Sequence, residues 1–352
     1  MRPTRALHPG GRCTPSGAVV IMPCLKPHDT IQPGDARAVK FTAEKLRGIL
    51  LPCTTPFAEG GLVDARALGD NIARWNETGI DGYVILGSTG ERVHLDEGEV
   101  LEVVSTARAS VPEHLAFVVG VGQHGTRASI AEARRAAGAG ADAILVITPH
   151  FYRAQMTPAA LANYYESIAE AAPVPVVLYN IPQNTGLALS PDVLARLCEH
   201  ENIVGIKDSS GDMVNFVEML RLASRKFAVL TGHASLLYAA LSAGAQGAIL
   251  AAGCVAPEVA VRIARLVEQG AHDEAREWQR KFTPLARAVT ARFGIGGLKY
   301  ALDLRGYAGG EVRAPLSMPD EAARREIART LEECCPYVET ENETKSAEGA
   351  VK

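Results

Sequence analysis

The sequence predicts a (β/α)8 barrel of the TIM type with additional C-terminal helices. Eight apolar runs rich in β-branched residues recur from residue 48 onward, and segments with helical periodicity separate them. Strands that are apolar throughout and joined by helices indicate a parallel sheet with helices on its outer face. Eight such units favour a closed barrel. The alternative is an open doubly wound sheet, which is weakened because no G-x-G-x-x-G motif follows the first run.

The predicted strands follow one another at similar spacing. In order, they are GILLPCTTPF (48–57), GYVILGST (82–89), AFVVGVG (116–122), DAILVITP (142–149), VPVVLYNIP (174–182), IVGIKDSS (203–210), FAVLTGH (227–233) and GAILAAG (247–253). Each run is short and is bounded by glycine, proline or polar residues, which is typical of strands buried in a parallel sheet.

The segments between these runs carry helix start and stop signals. VDARALGDNIARWNETG places Leu68, Ile72 and Trp75 on one face. Thr157 followed by Pro158 is a typical pair for an N-cap and first turn, and SPDVLARLCEH repeats it. Glycines in NETGIDG, AAGAGAD and LSAGAQG mark helix ends before three strands. After residue 254 the pattern predicts helix to about residue 333, which is more than an eighth unit needs.

These elements divide the chain into four predicted parts. Residues 46–257 form the barrel, and residues 258–335 form a helical region packed on it. We expect residues 1–45 to be a disordered N-terminal extension and the polar residues 336–352 to be a disordered tail. The start of the chain is basic and has no acidic residue before Asp29, so a transit peptide is the alternative there.

Charge and composition exclude several classes of partner. The net charge of −4 provides no basic face for nucleic acid. No apolar run approaches the roughly 20 residues that a membrane span needs. The seven cysteines include no C-x-x-C pair, which indicates a reducing compartment. We therefore predict a cytoplasmic protein, with the mitochondrial matrix as the alternative if the basic start is a transit peptide.

Candidate site residues are the polar ones at the strand ends, because the active site of a (β/α)8 barrel lies at the C-terminal ends of its strands. Lys207 is the most informative, since it follows the apolar residues of NIVGIKDSSGD and a buried lysine is costly without a partner or a chemical role. The other candidates are Thr54, Thr55, Ser88, Thr89, Glu91, Gln123, His124, His150, Tyr152, Tyr179, Asn180, Asp208, Ser209, Ser210 and His233.

One chemistry uses a lysine, a tyrosine and a hydroxyl-rich turn without a metal. Desolvation favours the neutral form of a lysine such as Lys207, which can then attack a carbonyl to form a Schiff base. Tyr179 can move protons to and from the substrate oxygen. The turn GSTGE (87–91) offers hydroxyls and backbone N–H groups at a helix start, which suit a carboxylate. Together these groups predict a 2-oxo-acid aldolase.

Each feature also has a structural interpretation when it is taken alone. Lys207 alone is more often a snorkelling side chain or an ion-pair partner of Asp208. Tyr179 alone more often packs at the rim, and GSTGE alone is a weak turn motif. Only the combination of the three favours catalysis.

A metal site is a further alternative. His124, His150 and His233 end three predicted strands, and histidine is a common metal ligand. No carboxylate stands among them at the ends of these three strands. Histidines at strand ends also often serve only as hydrogen-bonding groups. We therefore predict neither a metal nor a cofactor.

The motifs GSTGE, YNIPQNTG and GIKDSSGD occur in this order on the second, fifth and sixth predicted strands. With them, the chain from about residue 46 to residue 333 resembles the dihydrodipicolinate synthase and N-acetylneuraminate lyase family of class I pyruvate aldolases. The resemblance implies a small 2-oxo-acid substrate with a pyruvate unit. It also implies a homotetramer, which would suit the surplus C-terminal helices.

The resemblance assigns roles to individual residues. Lys207 matches the lysine that forms the Schiff base, and Tyr179 matches the tyrosine that transfers protons. Ser88 and Thr89 match the pair that binds the carboxylate of the pyruvoyl unit and relays protons. Ile249 matches a residue of the eighth strand whose backbone borders the bound pyruvate.

Two departures concern the second half of the substrate. The synthases of the family carry an arginine five residues after the tyrosine, to hold the carboxylate of aspartate semialdehyde, and Asn184 stands there in this chain. They also carry a tyrosine lent by a neighbouring subunit where this chain has Phe151. Without the arginine, a bidentate carboxylate partner is missing. These departures disfavour the synthase reaction and leave the pyruvate half of the site intact.

Within the family, VVLYNIPQNTGL, IVGIKDSSGD and the segment VTARFGIGGLKYALDLRGYAGGEVRAPL (289–316) are most similar to the 4-hydroxy-2-oxoglutarate aldolase branch. By this likeness Ser209 and Gly232 would touch the substrate beyond its pyruvate unit. Thr89 is a departure, because that branch tends to carry asparagine there. We therefore expect retro-aldol cleavage of 4-hydroxy-2-oxoglutarate to pyruvate and glyoxylate.

Several other functions remain open at this point. A 2-keto-3-deoxy sugar-acid aldolase or dehydratase would use the same imine, and so would dihydrodipicolinate synthase. A barrel that binds a small oxo acid without converting it is an alternative from another class. A metal-dependent lyase is a fourth, and its activity would be lost with a chelator.

Overall fold

The structure is a computed structural model that describes residues 41–335. It contains eight strands, and each strand pairs in parallel with the next while β8 pairs with β1, which closes the barrel. The strands are β1 (Gly48–Pro52), β2 (Gly82–Ile85), β3 (Ala116–Val121), β4 (Ala143–Ile147), β5 (Val176–Asn180), β6 (Ile203–Asp208), β7 (Ala228–Thr231) and β8 (Gly247–Ile249). Each predicted run contains one of them.

Helices connect the strands and continue beyond the eighth strand. They are α1 (Ala65–Trp75), α2 (Glu97–Ser110), α3 (Thr126–Gly138), α4 (Pro158–Ala171), α5 (Pro182–Thr185), α6 (Pro191–Leu197), α7 (Met213–Leu222), α8 (Leu237–Ser242), α9 (Pro257–Glu268), α10 (His272–Arg287), α11 (Gly294–Leu304) and α12 (Glu321–Cys334). The predicted (β/α)8 barrel with additional C-terminal helices is confirmed. None of the helices described in residues 41–335 is long and apolar enough to cross a membrane.

The strands are apolar throughout because they contribute to two cores. Leu50, Val84 and Val118 pack inside the barrel. Their neighbours along the chain, such as Ile49 and Tyr83, pack in the layer between the barrel and its helices. Successive side chains of a strand point to opposite faces, so all positions of these strands are buried except Gly48 and Ile147, which are half-buried.

The start of the described chain differs from the prediction. Residues 41–45 were expected in the disordered extension, but Phe41 and Ala43 are buried in the core inside the barrel. Burial of these apolar side chains stabilises the segment against the strands. The rest of the predicted extension and the predicted tail, residues 1–40 and 336–352, lie outside the described residues.

The prediction of continuous helix after residue 254 is wrong for residues 305–320. Gly306 and Gly310 adopt positive φ angles of 72° and 70°, a conformation that breaks an α-helix and favours glycine. The segment binds back to the barrel, since Nδ2 of Asn71 donates to the carbonyl of Ala308 at 2.9 Å. The backbone N–H of Ala308 in turn donates to Oδ1 of Asn71 at 2.8 Å. The segment therefore fastens the C-terminal region to α1.

Candidate active site

Lys207 lies on β6 near the C-terminal end of the strand, and the residue is only 5% exposed. The parallel register pairs it with Tyr179 of β5. Its Nζ atom lies 4.4 Å from the centre of the Tyr179 ring. The lysine and the tyrosine that the sequence singled out are therefore side by side at the mouth of the barrel.

Tyr179 also connects β5 to the turn that follows β2. Its hydroxyl lies 3.0 Å from Oγ of Ser88, and either oxygen can be the donor. Thr89, the next residue, is buried. Lys207, Tyr179 and Ser88 thus lie next to one another, the amine against the tyrosine ring and the tyrosine hydroxyl against the serine.

The turn that carries Ser88 and Thr89 packs on the end of β1. Ser88–Gly90 form a single 3-10 turn, and Oγ1 of Thr55 donates to the carbonyl of Gly90 at 2.7 Å. A Cβ atom on Gly90 would lie 3.1 Å from the carbonyl oxygen of Cys53, a tight contact that favours glycine. This packing holds the two hydroxyl side chains at the barrel mouth.

Ser209 and Gly232 line the same region on the other side of Lys207. A Cβ atom on Gly232 would overlap Oγ of Ser209 and lie 2.9 Å from Cε of Lys207. Glycine at 232 therefore leaves space beside the amine. Ile249 is buried at the end of β8, the strand next to β7.

Asp208 does not serve as the ion-pair partner of Lys207 that one interpretation of the sequence suggested. Its Oδ1 accepts a hydrogen bond from Nδ2 of Asn180 at 2.6 Å, and its Oδ2 accepts one from Oγ of Ser210 at 2.8 Å. Burial raises the pKa of Asp208, and these hydrogen bonds oppose part of the shift. Asp208 thus ties β5 to the loop after β6 and leaves the amine of Lys207 free of it.

The three strand-end histidines do not converge. The rings of His124 and His150 lie edge to face with their centres 4.5 Å apart. His233 lies instead beside Gly211, where a Cβ atom would be 3.3 Å from the ring. Burial lowers the pKa of His233, and burial and the nearby His150 lower that of His124. Within residues 41–335, no group of three or more His, Cys, Asp or Glu side chains could hold a metal.

The two positions that distinguish this chain from the synthases are exposed. Asn184 lies in the short helix α5, which directly follows β5 and Tyr179. Phe151 follows β4 and is 70% exposed, and its ring lies against Tyr152 with the centres 5.0 Å apart. Neither side chain offers the positive charge that an arginine would place at this end of the barrel.

A buried ion pair behind the Ser88 turn was missed by sequence reasoning. Oε1 of Glu91 lies 2.6 Å from Nζ of Lys299 of α11, and both side chains are enclosed. Glu91 was a candidate only as a strand-end carboxylate. The signal that could have found its partner is a second lysine in an apolar helix, in GIGGLKYAL.

Comparison with known proteins places the chain in one family over most of its length. A profile of the Dihydrodipicolinate synthetase family matches residues 45–334. The 4-hydroxy-tetrahydrodipicolinate synthase of Methanothrix thermoacetophila is 36% identical over 288 residues, which is 80% of this chain and 95% of that protein. The protein of the same name from Haloarcula marismortui is 32% identical, covering 83% of this chain and 96% of its own.

Solved structures lead to the same conclusion. Dihydrodipicolinate synthase from Thermotoga maritima superposes with a TM-score of 0.78 at 29% identity, covering 82% of this chain and 98% of that chain. A monomeric dihydrodipicolinate synthase variant gives a TM-score of 0.79 at 28% identity, covering 82% and 97%. The chain therefore belongs to the dihydrodipicolinate synthetase family, whose members are class I aldolases and lyases that form a Schiff base on a lysine.

Proposed function

We propose that Lys207 forms an imine with the C2 carbonyl of a small 2-oxo acid that contains a pyruvate unit. The position of its amine beside Tyr179, whose hydroxyl is hydrogen-bonded to Ser88, supports this role. Ser88 and Thr89 bind the C1 carboxylate, and the backbone at Ile249 borders the pyruvate unit. The chemistry needs neither a metal nor a cofactor, since the iminium itself is the electron sink.

The reaction proposed for this imine is cleavage of 4-hydroxy-2-oxoglutarate. The amine of Lys207 adds to C2, and water leaves as the imine forms. Tyr179, relayed through Ser88, takes the proton of the C4 hydroxyl while the C3–C4 bond breaks. Glyoxylate departs, and the electrons of the broken bond form an enamine. Protonation of the enamine at C3 and hydrolysis of the imine then release pyruvate and restore the amine.

The observation that weighs against the synthase reaction, and so leaves the cleavage as the choice, is Asn184. Because no arginine stands at that position, the paired N–H donors that would bind the carboxylate of aspartate semialdehyde are missing. Ser209 and Gly232 lie beside Lys207 and would contact the part of the substrate beyond its pyruvate unit.

A second candidate function is 4-hydroxy-tetrahydrodipicolinate synthesis, and the names of the relatives favour it. Seven curated relatives at 30–36% identity all carry the synthase name. These names support the synthase better than the cleavage of 4-hydroxy-2-oxoglutarate. The cleavage is favoured only by residues 184 and 151 and by three segments that are similar to the 4-hydroxy-2-oxoglutarate aldolase branch. A 2-keto-3-deoxy sugar-acid aldolase or dehydratase would also use Lys207 and Tyr179.

A substrate panel separates these functions. The purified protein is offered 4-hydroxy-2-oxoglutarate, 2-keto-3-deoxy sugar acids, and pyruvate together with aspartate semialdehyde. Pyruvate and aldehyde released, or pyruvate consumed, are measured. We expect the fastest turnover with 4-hydroxy-2-oxoglutarate, at a rate that a chelator does not change. Faster consumption of pyruvate with aspartate semialdehyde would instead establish the synthase, and binding of pyruvate without turnover of any substrate would indicate a sensor.

For the assembled protein we propose a homotetramer, as the resemblance implies, in the cytoplasm, as the cysteine pattern indicates. Large apolar side chains are exposed at Phe151 and Tyr152 after β4 and at Val214 and Val217 on α7, which suits contacts between subunits. One relative of similar fold is named as a monomeric variant, so the family tolerates other states. Sedimentation at several concentrations measures the state directly.

A further inference from the structure

Glu91 and Lys299 form a charged pair inside the protein that the proposed imine chemistry does not use. Glu91 is 2% exposed and Lys299 is fully buried, and Oε1 of the first lies 2.6 Å from Nζ of the second. Burying two charges is costly even when they pair, so such a pair is weak as a source of stability. A pair of this kind in the described chain therefore needs another explanation.

Lys299 is held both by the C-terminal region and by the loop that follows β1. Its Nζ donates to the backbone carbonyl of Glu311 at 2.6 Å and lies 4.3 Å from the centre of the Phe57 ring. Burial lowers the pKa of Lys299, and the carboxylate of Glu91 opposes that shift. The ammonium is thus a fixed charge that points from α11 at Glu91.

Glu91 is held equally firmly at its other oxygen. Oε2 accepts a hydrogen bond from the backbone N–H of Arg313 at 3.0 Å and lies 3.2 Å from Nδ1 of His94. No well-angled hydrogen bond reaches Oε1 among the described residues, so the ammonium of Lys299 is the group that satisfies it. Removal of Lys299 would leave this oxygen buried and unpaired.

The backbone of Glu91 in turn closes the turn that carries Ser88 and Thr89. Its N–H donates to the carbonyl of Ser88 at 3.2 Å, and its φ angle is 52°. A residue other than glycine, asparagine or aspartate is rare in this left-handed conformation and needs compensating contacts. The buried carboxylate supplies those contacts, because it anchors the residue from behind.

We propose that the Glu91–Lys299 pair positions the turn 87–91, so that Ser88 and Thr89 are already arranged to receive the C1 carboxylate of the 2-oxo acid. This inference rests on the proposed role of Ser88 and Thr89 in binding that carboxylate. Glu91 and Lys299 are positioning residues, since they act through the turn and touch no reacting atom. By this link the helices beyond the barrel set the affinity of the site for its substrate.

The test measures the affinity for pyruvate separately from the stability of the fold. Wild type, Glu91→Gln, Lys299→Met and the double variant E91Q/K299M are mixed with increasing pyruvate and reduced with borohydride. The adduct on Lys207 is then quantified by mass spectrometry. We expect the half-saturating pyruvate concentration to rise about 10-fold or more in all three variants, because small misplacements of binding groups are expensive. The adduct yield at saturation should stay near that of wild type.

The double variant distinguishes positioning from stability. Each single variant leaves one buried charge unpaired and should lower Tm, whereas the double variant removes both charges and should recover most of that loss. Its half-saturating concentration should nevertheless stay raised, because the link from α11 to the turn is gone. It also carries the test if a single variant fails to fold. If the double variant recovered both the Tm and the wild-type affinity for pyruvate, the inference would be overturned.

Asn71→Ala is the matched control. Asn71 is buried and binds the backbone of Ala308, so its loss also loosens the C-terminal region without touching the turn. We expect a lower Tm with an unchanged half-saturating concentration of pyruvate. An equal loss of affinity in this variant would mean that loosening of the region, and not the ion pair, governs binding. Absence of any adduct in the wild type would contradict the proposed imine chemistry of Lys207, whereas an adduct with unchanged affinity in the variants would contradict the positioning role.

Discussion

Lys207 owes its surroundings to the strand that carries it. The residues before it, Ile203 to Ile206, are buried because β6 lies between β5 and β7 and is covered on both faces. The register of β5 and β6 then places Tyr179 directly opposite. Alternation along the strand turns Asp208 to the other face, where Asn180 and Ser210 bind it. One amine is thereby left at the barrel mouth beside a tyrosine.

The role of Tyr179 is tested by its replacement with phenylalanine. Tyr179→Phe keeps the ring beside Lys207 and removes only the hydroxyl that meets Ser88. We expect turnover of the best substrate to fall by about 100-fold or more, which is the usual scale of general acid–base catalysis. Pyruvate binding should change much less, because the carboxylate contacts remain.

Tyr83→Phe serves as the control for the loss of a buried tyrosine hydroxyl. Tyr83 lies on β2, and its hydroxyl binds Oδ1 of Asn76 at 2.7 Å in the layer between barrel and helices. Its turnover should match that of wild type. Turnover in Tyr179→Phe that equals the control would show that the hydroxyl at 179 moves no proton in the slow step.

The ends of β5 and β6 are joined through a buried carboxylate. Asn180 donates to Asp208 and accepts the backbone N–H of Leu189 at 3.0 Å, so one amide connects two strand ends and the loop after α5. Gly232 of the next loop donates its N–H to the carbonyl of Asp208 at 2.6 Å. These links fix the strand ends that carry Tyr179 and Lys207.

The buried charge of Asp208 makes stability depend on pH in a defined direction. Burial raises its pKa above the ordinary value of 3.8, so the folded state holds this proton more tightly than the unfolded state does. As pH rises from that value through the raised pKa, this group lowers the free energy of unfolding. Asp208→Asn removes the titration.

Urea unfolding of both proteins across this pH range measures the effect. The stability of wild type relative to Asp208→Asn should fall as pH rises and level off once Asp208 is ionised. A difference that stays constant with pH, or that grows in favour of wild type, would contradict the assignment of the pH dependence to Asp208.

Elements whose signal is local could be predicted from the sequence. The helix start at Thr157 is one, since its hydroxyl accepts the N–H of Ala160 at 3.2 Å as the Thr-Pro pair indicates. The helical pattern on both sides of residues 305–320 predicts helix there as well, but the glycines and prolines of this segment prevent it. The partnership of Glu91 and Lys299 depends on the packing of α11 behind the turn after β2. The apolar helix GIGGLKYAL indicates that Lys299 needs a partner, but no local pattern says which distant residue supplies it.

At the scale of the whole molecule, the C-terminal region packs on the helices that surround the closed barrel. Trp75 of α1 stacks on Tyr307 with ring centres 5.2 Å apart, and its Nε1 donates to the carbonyl of Cys254 at 3.0 Å. Arg313 reaches Glu99 of α2 as an ion pair and holds the pKa of that carboxyl below its usual range. These contacts bind the region to the first two helices, beside the turn that carries Ser88.

The structure of the whole molecule defines the chemistry of the site better than its substrate. The pyruvate half of the site follows from residues that the barrel itself brings together, Lys207, Tyr179 and Ser88. The other half depends on positions after β4 and β5, such as Phe151 and Asn184, which are exposed in the single chain. A neighbouring subunit, if present, would change the surroundings of these positions, and one sequence carries no direct signal for that.

The central claim is that Lys207 is the lysine that forms the imine. The most direct measurement is reduction of the protein with borohydride in the presence of pyruvate, followed by peptide mapping. One pyruvate-derived adduct should appear on Lys207, and Lys207→Arg should fold, form no adduct and have no turnover. An adduct on another lysine such as Lys299, or full turnover in Lys207→Arg, would contradict the account.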